Sequence, residues 1–217
     1  MYKTFAKYGT FVAGLYFLTL GVVLIIRSAL GTSPISSLNY VMSVYTPVTL
    51  GMATFGLNML LILGQFWFIR HDRSRRDSVE ILLQIPFSLI FAIFLDVNMA
   101  LTTWLSPEGY AWAWGLLVAG CLVQSFGVVL ELRPNVAVMS AEGFVKYACR
   151  AHGWNFGRTK VCFDVTLVLL AVAASLAFSG AVVGVREGTV FSALVVGILV
   201  NFFTAKIMNR LHMPHRA

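Results

Sequence analysis

Charge is what this sequence has least of. Of 217 residues, 12% are charged, and only nine are Asp or Glu. A soluble globular domain carries about 25% charged residues, so this chain cannot present water with an ordinary surface on all sides. That excludes disordered, coiled-coil, collagen-like and ordinary cytosolic classes. Cysteine is scarce too: Cys121, Cys149 and Cys162, an odd number without a close Cys-x-x-Cys pair. Such a set is no disulfide framework. Cys149-x-x-His152 offers two ligands where a closed metal site takes four. The chain also lacks a phosphate-binding Gly-Lys-Ser/Thr loop, a Gly-x-Ser-x-Gly elbow and a His-Glu-x-x-His pair. We therefore expect no enzyme, no cofactor and no metal. The alternating pattern of a membrane β-barrel is missing as well.

What is present is apolar length. Apolar residues make up 59% of the chain, and mean hydropathy is +0.82. A helix needs about 20 mostly apolar residues to cross a hydrocarbon core. Six stretches qualify, at about Tyr8–Ile26, Leu50–Ile69, Val79–Leu101, Ala111–Leu132, Phe156–Gly180 and Val190–Met208. The expected fold is all-α and polytopic, with the lipid bilayer as its main partner. The net charge of +7 is topogenic rather than a nucleic-acid signal. With a cytoplasmic N-terminus, fourteen of the sixteen Lys and Arg residues fall on the cytoplasmic side, leaving only Arg27 and Arg186 outside. The run RHDRSRR at 70–76 belongs to that pattern. Both termini are thus expected in the cytoplasm. Lys3 and Lys7 ahead of an apolar run resemble a signal peptide, but the run is too long, and Arg27 stands where a cleavage region is small and neutral.

The sequence carries an internal repeat. Gly21-Val-Val-Leu-x-x-Arg27 recurs as Gly127-Val-Val-Leu-x-x-Arg133, an offset of 106. The same offset pairs Gly51 with Gly157 and Asn58 with Asp164; an offset of 105 pairs Asp96 with Asn201. Each half, 1–105 and 106–217, holds three spans. Three is odd, so the second half enters the membrane from the opposite face. This is a 3+3 inverted repeat, a pattern recurrent in secondary transporters.

Between the first two spans of each half lies a short segment. Gly31-Thr32-Ser33-Pro34 places a good N-cap, Ser33, before a proline suited to the first helical position. Ile35, Leu38, Val41, Met42 and Tyr45 then share one helical stripe, and Thr46-Pro47 stops it. About a dozen residues reach only about 18 Å, too short to cross. The counterpart, residues 139–153, has Ser140 near its start. Two readings stand. Both segments are half-helices whose N-termini face a central cavity, and with Arg27 and Arg133 they build an anion site. Alternatively, both lie flat on the membrane surfaces and the arginines snorkel.

Polar residues at membrane depth complete the candidates. Asp164 lies within the fifth span, with Lys160 one turn earlier as an ion-pair partner. Asp96 lies late in the third span, as a proton or cation site or as a headgroup-zone residue. Glu131 and Arg133, two residues apart, point to different helix faces. Asn58, Gln65, Gln84, Gln124 and Asn201 read as interhelical hydrogen-bonding residues.

The stretches GVVLIIRSALGTSPISSL (21–38), ILLQIPFSLIFAIFLD (81–96), GVVLELR (127–133) and VREGTVFSALVVG (185–197) resemble the YczE/YyaS/YitT-type bacterial membrane proteins. The resemblance spans most of the chain and is sharpest at Arg-x-x-x-Gly-Thr-Ser-Pro. It departs where Gly31–Pro34 aligns with Ala137-Val138-Met139-Ser140. It implies a small multi-span protein of the bacterial inner membrane, often treated as a transporter. The expected function is a secondary transporter binding a small anionic or zwitterionic solute between the halves. Its expected contacts are Arg27, Gly31, Thr32, Ser33, Pro34, Asn58, Arg133 and Ser140, with Asp96 and Asp164 as coupling residues. The alternative is a non-transporting accessory protein that binds a protein partner, or a second copy of itself, with its basic cytoplasmic loops facing that partner.

Overall fold

The computed structural model describes residues 2–70, 74–134 and 137–209. Arg73, Arg210 and Arg216, part of the charge argument, lie outside the described residues. The described chain forms eight helices: α1 (Tyr2–Arg27), α2 (Pro34–Tyr45), α3 (Leu50–Phe68), α4 (Arg75–Leu101), α5 (Tyr110–Leu132), α6 (Ser140–His152), α7 (Phe156–Ser179) and α8 (Glu187–Asn209). All except α2 and α6 are long and apolar enough to cross a membrane. The protein is an all-α, multi-pass membrane protein. Its helix starts follow local chemistry. Thr49 caps α3 by accepting from the Met52 N–H, and Asn155 caps α7 by accepting from the Arg158 N–H. Ser74 does the same for α4, which therefore begins one turn before the apolar run, at Arg75.

The centre of the molecule is the crossing of α1 and α5, which run antiparallel with backbones in contact. A Cβ on Gly14 would meet the backbone of Glu131, and one on Gly21 the backbone of Gln124. One on Gly127 would meet Leu18, and one on Gly120 would meet Ile25, all at less than 3 Å. The repeat offset of 106 converts these pairs into one another: Gly14 becomes Gly120, Ile25 becomes Glu131, Leu18 becomes Gln124 and Gly21 becomes Gly127. Small residues that let backbones approach are the usual means of joining helices in lipid, where no hydrophobic force drives them together. Thr19 and Ser125, also 106 apart and both fully buried, sit at the middle of the crossing. The Asn98 amide donates to the Thr19 hydroxyl, and the Ser125 hydroxyl donates to the Cys121 carbonyl.

The remaining helices obey the same exchange. α1 packs on α4 as α5 does on α8; α2 packs on α7 as α6 does on α3; and α2 meets α3 as α6 meets α7. Two interfaces break the rule: α4 meets α6 without a comparable α2–α8 contact, and the larger break is that of α3 with α4. α3 and α4 pack extensively, and no interface of similar size joins α7 to α8. Gly51 is the local reason: its missing side chain lets Ala92 and Asp96 of α4 come within 3 Å of where a Cβ would stand. Its partner in the repeat, Gly157, has no such neighbour. α7 and α8 consequently present most of their apolar surface outward, as at Leu169, Leu194 and Ile198. In water each such side chain would cost about 1.5–3 kcal/mol relative to burial, a cost that lipid removes.

The crossing makes a graded prediction. Gly21→Ala and Gly127→Ala should each destabilise the detergent-solubilised protein by about 1–3 kcal/mol through overpacking against backbone. Gly115→Ala, which meets no atom within 4 Å, should stay within about 0.5 kcal/mol. Melting followed by size-exclusion chromatography measures all three.

Candidate functional site

The two short helices carry the site, and their placement follows from their own contacts. α6 runs antiparallel along the first half of α4. Arg150 pairs with Asp77 at 2.8 Å, and Lys146 pairs with Glu80 one turn further along. Gly143 then packs against Gln84, and the hydroxyls of Ser140 and Ser88 lie 3.0 Å apart. Ser88 is thirteen residues from either end of α4, about 20 Å of helix. The C-terminal end of α6 is therefore level with the start of α4, and its N-terminal end is level with the middle. A helix lying flat on a membrane surface would cross α4, not run along it.

The N-terminal end of α6 is held by a buried amide pair. Gln65 of α3 and Gln84 of α4 exchange two hydrogen bonds, at 2.8 and 2.9 Å, and Gln65 also donates to the Ser140 carbonyl at 3.1 Å. Both side chains are buried, where an unmade hydrogen bond is expensive. The N-terminal end of α2 is held differently. The Thr32 N–H donates to the Thr189 hydroxyl at 3.1 Å, and the Thr32 hydroxyl donates to the Gly184 carbonyl at 3.0 Å. Gly31, with φ of +139°, is pressed against Thr189, where a Cβ would stand 2.5 Å from its hydroxyl oxygen. The buried face of α2 is polar: Ser37 and Asn39 are buried beside Val41, whereas the apolar stripe of Ile35, Leu38, Met42 and Tyr45 is only half-buried. That is the reverse of a surface-lying amphipathic helix.

Both N-terminal ends open onto one cavity of about 210 Å³. Ser33, Ile35 and Ser36 line it from α2, and Met139, Ser140, Ala141 and Glu142 from α6. α1 contributes Leu18 and Val22; α5 contributes Gln124, Val128 and Glu131; Thr54 and Asn58 come from α3 and Phe91 from α4. Many of these are repeat partners, as Leu18 is of Gln124, Val22 of Val128, Ser33 of Met139 and Ser36 of Glu142. The cavity thus lies where the two halves meet. Among the described residues no Lys or Arg lines it, while two carboxylates do.

Of the residues expected from sequence, Ser33, Asn58 and Ser140 line the cavity. The others serve elsewhere. Arg27 donates to the Met99 carbonyl at 2.7 Å and the Thr102 hydroxyl at 3.3 Å, satisfying the last turn of α4. Arg133 is exposed beyond α5. Gly31 and Thr32 form the anchor to α8, and Pro34 begins α2 without reaching the cavity. Asp96 is a cap: its carboxylate accepts from the Gly51 N–H and the Thr49 hydroxyl, each at 2.7 Å, at the positive end of α3. Asp164 pairs with Lys160 at 2.5 Å.

Two acids of the cavity are not evident as site residues in the sequence. Glu131 was weighed only against Arg133, but it lies on the stripe Gly120, Gln124, Gly127, Glu131, whose spacing of four, three and four is one helix face. That stripe faces α1, and Glu131 is 5% exposed. Glu142 stands in the first turn of α6, where an acid ordinarily serves the helix dipole. Its repeat relation to Ser36 was the available signal. The charges acting on it are the Lys160–Asp164 pair and Glu131.

Residues 5–205 match the model of a family of unknown function, DUF6198. The chain belongs to that family. Neither a curated protein nor a solved structure matches it. Within DUF6198, this chain supplies a fold and a cavity from which a function can be argued.

The amide pair is separable from the cavity in experiment. Gln65→Leu should cost about 1–3 kcal/mol, because it strands the buried Gln84 amide and the Ser140 carbonyl. Gln65→Leu with Gln84→Leu should cost less than the two single changes together, by about 0.5 kcal/mol or more. A double-mutant cycle on thermal or urea unfolding reads the difference.

Proposed function

We propose that the protein is a small secondary transporter of the bacterial inner membrane, with both termini in the cytoplasm. It moves a small solute through the cavity between its inverted halves. The observation that carries this reading is the convergence of the two short helices on one cavity at the α1–α5 crossing. A site between repeats, formed where half-helix ends meet, is the arrangement that alternating access requires. Rocking one half against the other at the crossing would expose the cavity to each side in turn. The YczE/YyaS/YitT-like sequence and the distribution of Lys and Arg support the membrane and the orientation.

A purely anionic solute held by Arg27 and Arg133 loses its support, because neither side chain lines the cavity. The accessory-protein reading rests on basic cytoplasmic loops that a partner would grip. Two of those basic residues, Lys146 and Arg150, are engaged by Glu80 and Asp77 of the same chain, which favours the transporter.

The test needs no ligand. Cys121, Cys149 and Cys162 are replaced by alanine, and Ser36→Cys or Val128→Cys is introduced in membrane vesicles of each orientation. Alternating access predicts that a membrane-impermeant maleimide labels each cavity position from both sides. A fixed scaffold would be labelled from one side at most, and that result would overturn the reading.

A further inference from the structure

Two buried groups in the cavity stand out as acceptors without a donor. Glu131 is 5% exposed, and among the described residues its carboxylate has neither a hydrogen-bond nor an ion-pair partner. The Oε1 atom of Gln124, two helical turns away on the same face, is buried and has no hydrogen-bond partner among the described residues. Glu142, from the same half, adds a second carboxylate, which the Lys160–Asp164 pair also faces. Each of these atoms is an acceptor, and two belong to acids. A buried acceptor without a donor is costly, and a buried carboxylate without a cation more so. Both costs are relieved by a ligand that brings N–H donors and positive charge.

The rest of the lining limits what that ligand is. A bare divalent ion asks for about six or more oxygen ligands. Here the oxygens alternate with Leu18, Val22, Phe91 and Val128, which suit hydrocarbon. The volume of about 210 Å³ leaves room for a small organic molecule rather than a bare ion alone. Phe91 stands at the cavity wall, and an aromatic ring is a group that attracts ammonium ions. The end of the cavity formed by α2 carries no acid in its first turn, so a carboxylate on the ligand would meet a positive helix end there.

We propose that Glu131, supported by the charge of Glu142, binds the ammonium group of a small organic solute, either a simple alkylamine or a small amino acid. This inference rests on the transport reading and names the substrate class for the same cavity. The ammonium is the chemistry common to both sources. Glu131 is the anchor, Glu142 the supporting charge, and the apolar walls take the carbon chain.

The experiment is thermal unfolding and isothermal titration of the detergent-purified full chain at pH 7. The probes are propylammonium chloride, glycine, alanine and sodium propionate, with sodium chloride as the ionic control. The expected result is saturable binding of propylammonium, of the amino acids, or of both, with sodium propionate inert. Glu131→Gln should weaken that binding at least tenfold and Glu142→Gln at least threefold. Glu108→Gln, an exposed loop acid between α4 and α5, should leave it unchanged. Binding of propylammonium alone identifies an amine site, and a preference for the amino acids identifies a zwitterion site; either supports the proposal. Binding of propionate without any ammonium probe would overturn it and leave the transport reading standing. Equal binding by wild type, Glu131→Gln and Glu142→Gln would also overturn it, as would silence of every ammonium probe. In the last case, two-sided cysteine labelling decides whether the transport reading falls too. Glu142→Gln serves as the independent variant should Glu131→Gln fail to fold.

Discussion

The structure depends on the contact between the backbones of α1 and α5. In lipid, apolar surface alone does not hold two helices together, because the solvent is as apolar as the side chains. Close approach does, and here glycine makes it possible from both sides, at Gly14 and Gly21 on one helix and Gly120 and Gly127 on the other. The contact is symmetric under the 106-residue offset, so one geometric solution serves both halves. Because α5 is the repeat partner of α1, their antiparallel crossing sets the halves head to tail. The short helices α2 and α6, each following its half's first helix, then arrive at the centre from opposite sides. A cavity at the crossing follows from where those helices stop.

The halves are alike in plan and unlike in finish. In the first half, α3 and α4 are joined at Gly51 and pinned by Asp96, whose carboxylate caps α3. In the second, α7 caps itself with Asn155, and α8 starts at the loop that holds Gly31 and Thr32. The N-terminal end of α6 is clamped by the Gln65–Gln84 pair, while that of α2 is clamped by Thr189. The polar residues thus divide into those that fasten helices and those left facing the cavity. The second set includes two buried acceptors, the Glu131 carboxylate and Gln124 Oε1. That division, rather than the number of polar residues at membrane depth, distinguishes a site from a scaffold here.

The sequence made the spans legible because each is a run of about twenty apolar residues, and no other element imitates that. The offset repeat was legible from Gly21–Arg27 and Gly127–Arg133, and the packing follows it. Ser33, Asn58 and Ser140 were legible as cavity residues because small polar groups near half-helix starts have few other uses. Arg27 was not, because an arginine can satisfy the last carbonyls of a neighbouring helix as readily as bind a solute, and only the position of α4 tells the two apart. Asp96 was ambiguous for the same reason and proved to be a cap. Glu131 was misjudged by its nearest charge, Arg133, when its heptad neighbours Gly120, Gln124 and Gly127 gave its direction. The missing α7–α8 interface had no signal, since Gly157 matches Gly51 in sequence and differs only in surroundings.

The account turns on α6 entering the membrane beside α4 rather than resting on its surface. Ser88→Cys combined with Ser140→Cys, in a chain whose native cysteines are replaced by alanine, tests it directly. The two hydroxyls are 3.0 Å apart, and a disulfide needs its β-carbons about 3.5–4.5 Å apart. After mild oxidation of the folded protein in membranes, the account predicts that both thiols are lost to alkylation together, and that peptides from α4 and α6 are found cross-linked. Two thiols that remain free and separately alkylated in a folded protein would put α6 elsewhere, and the central cavity would go with it.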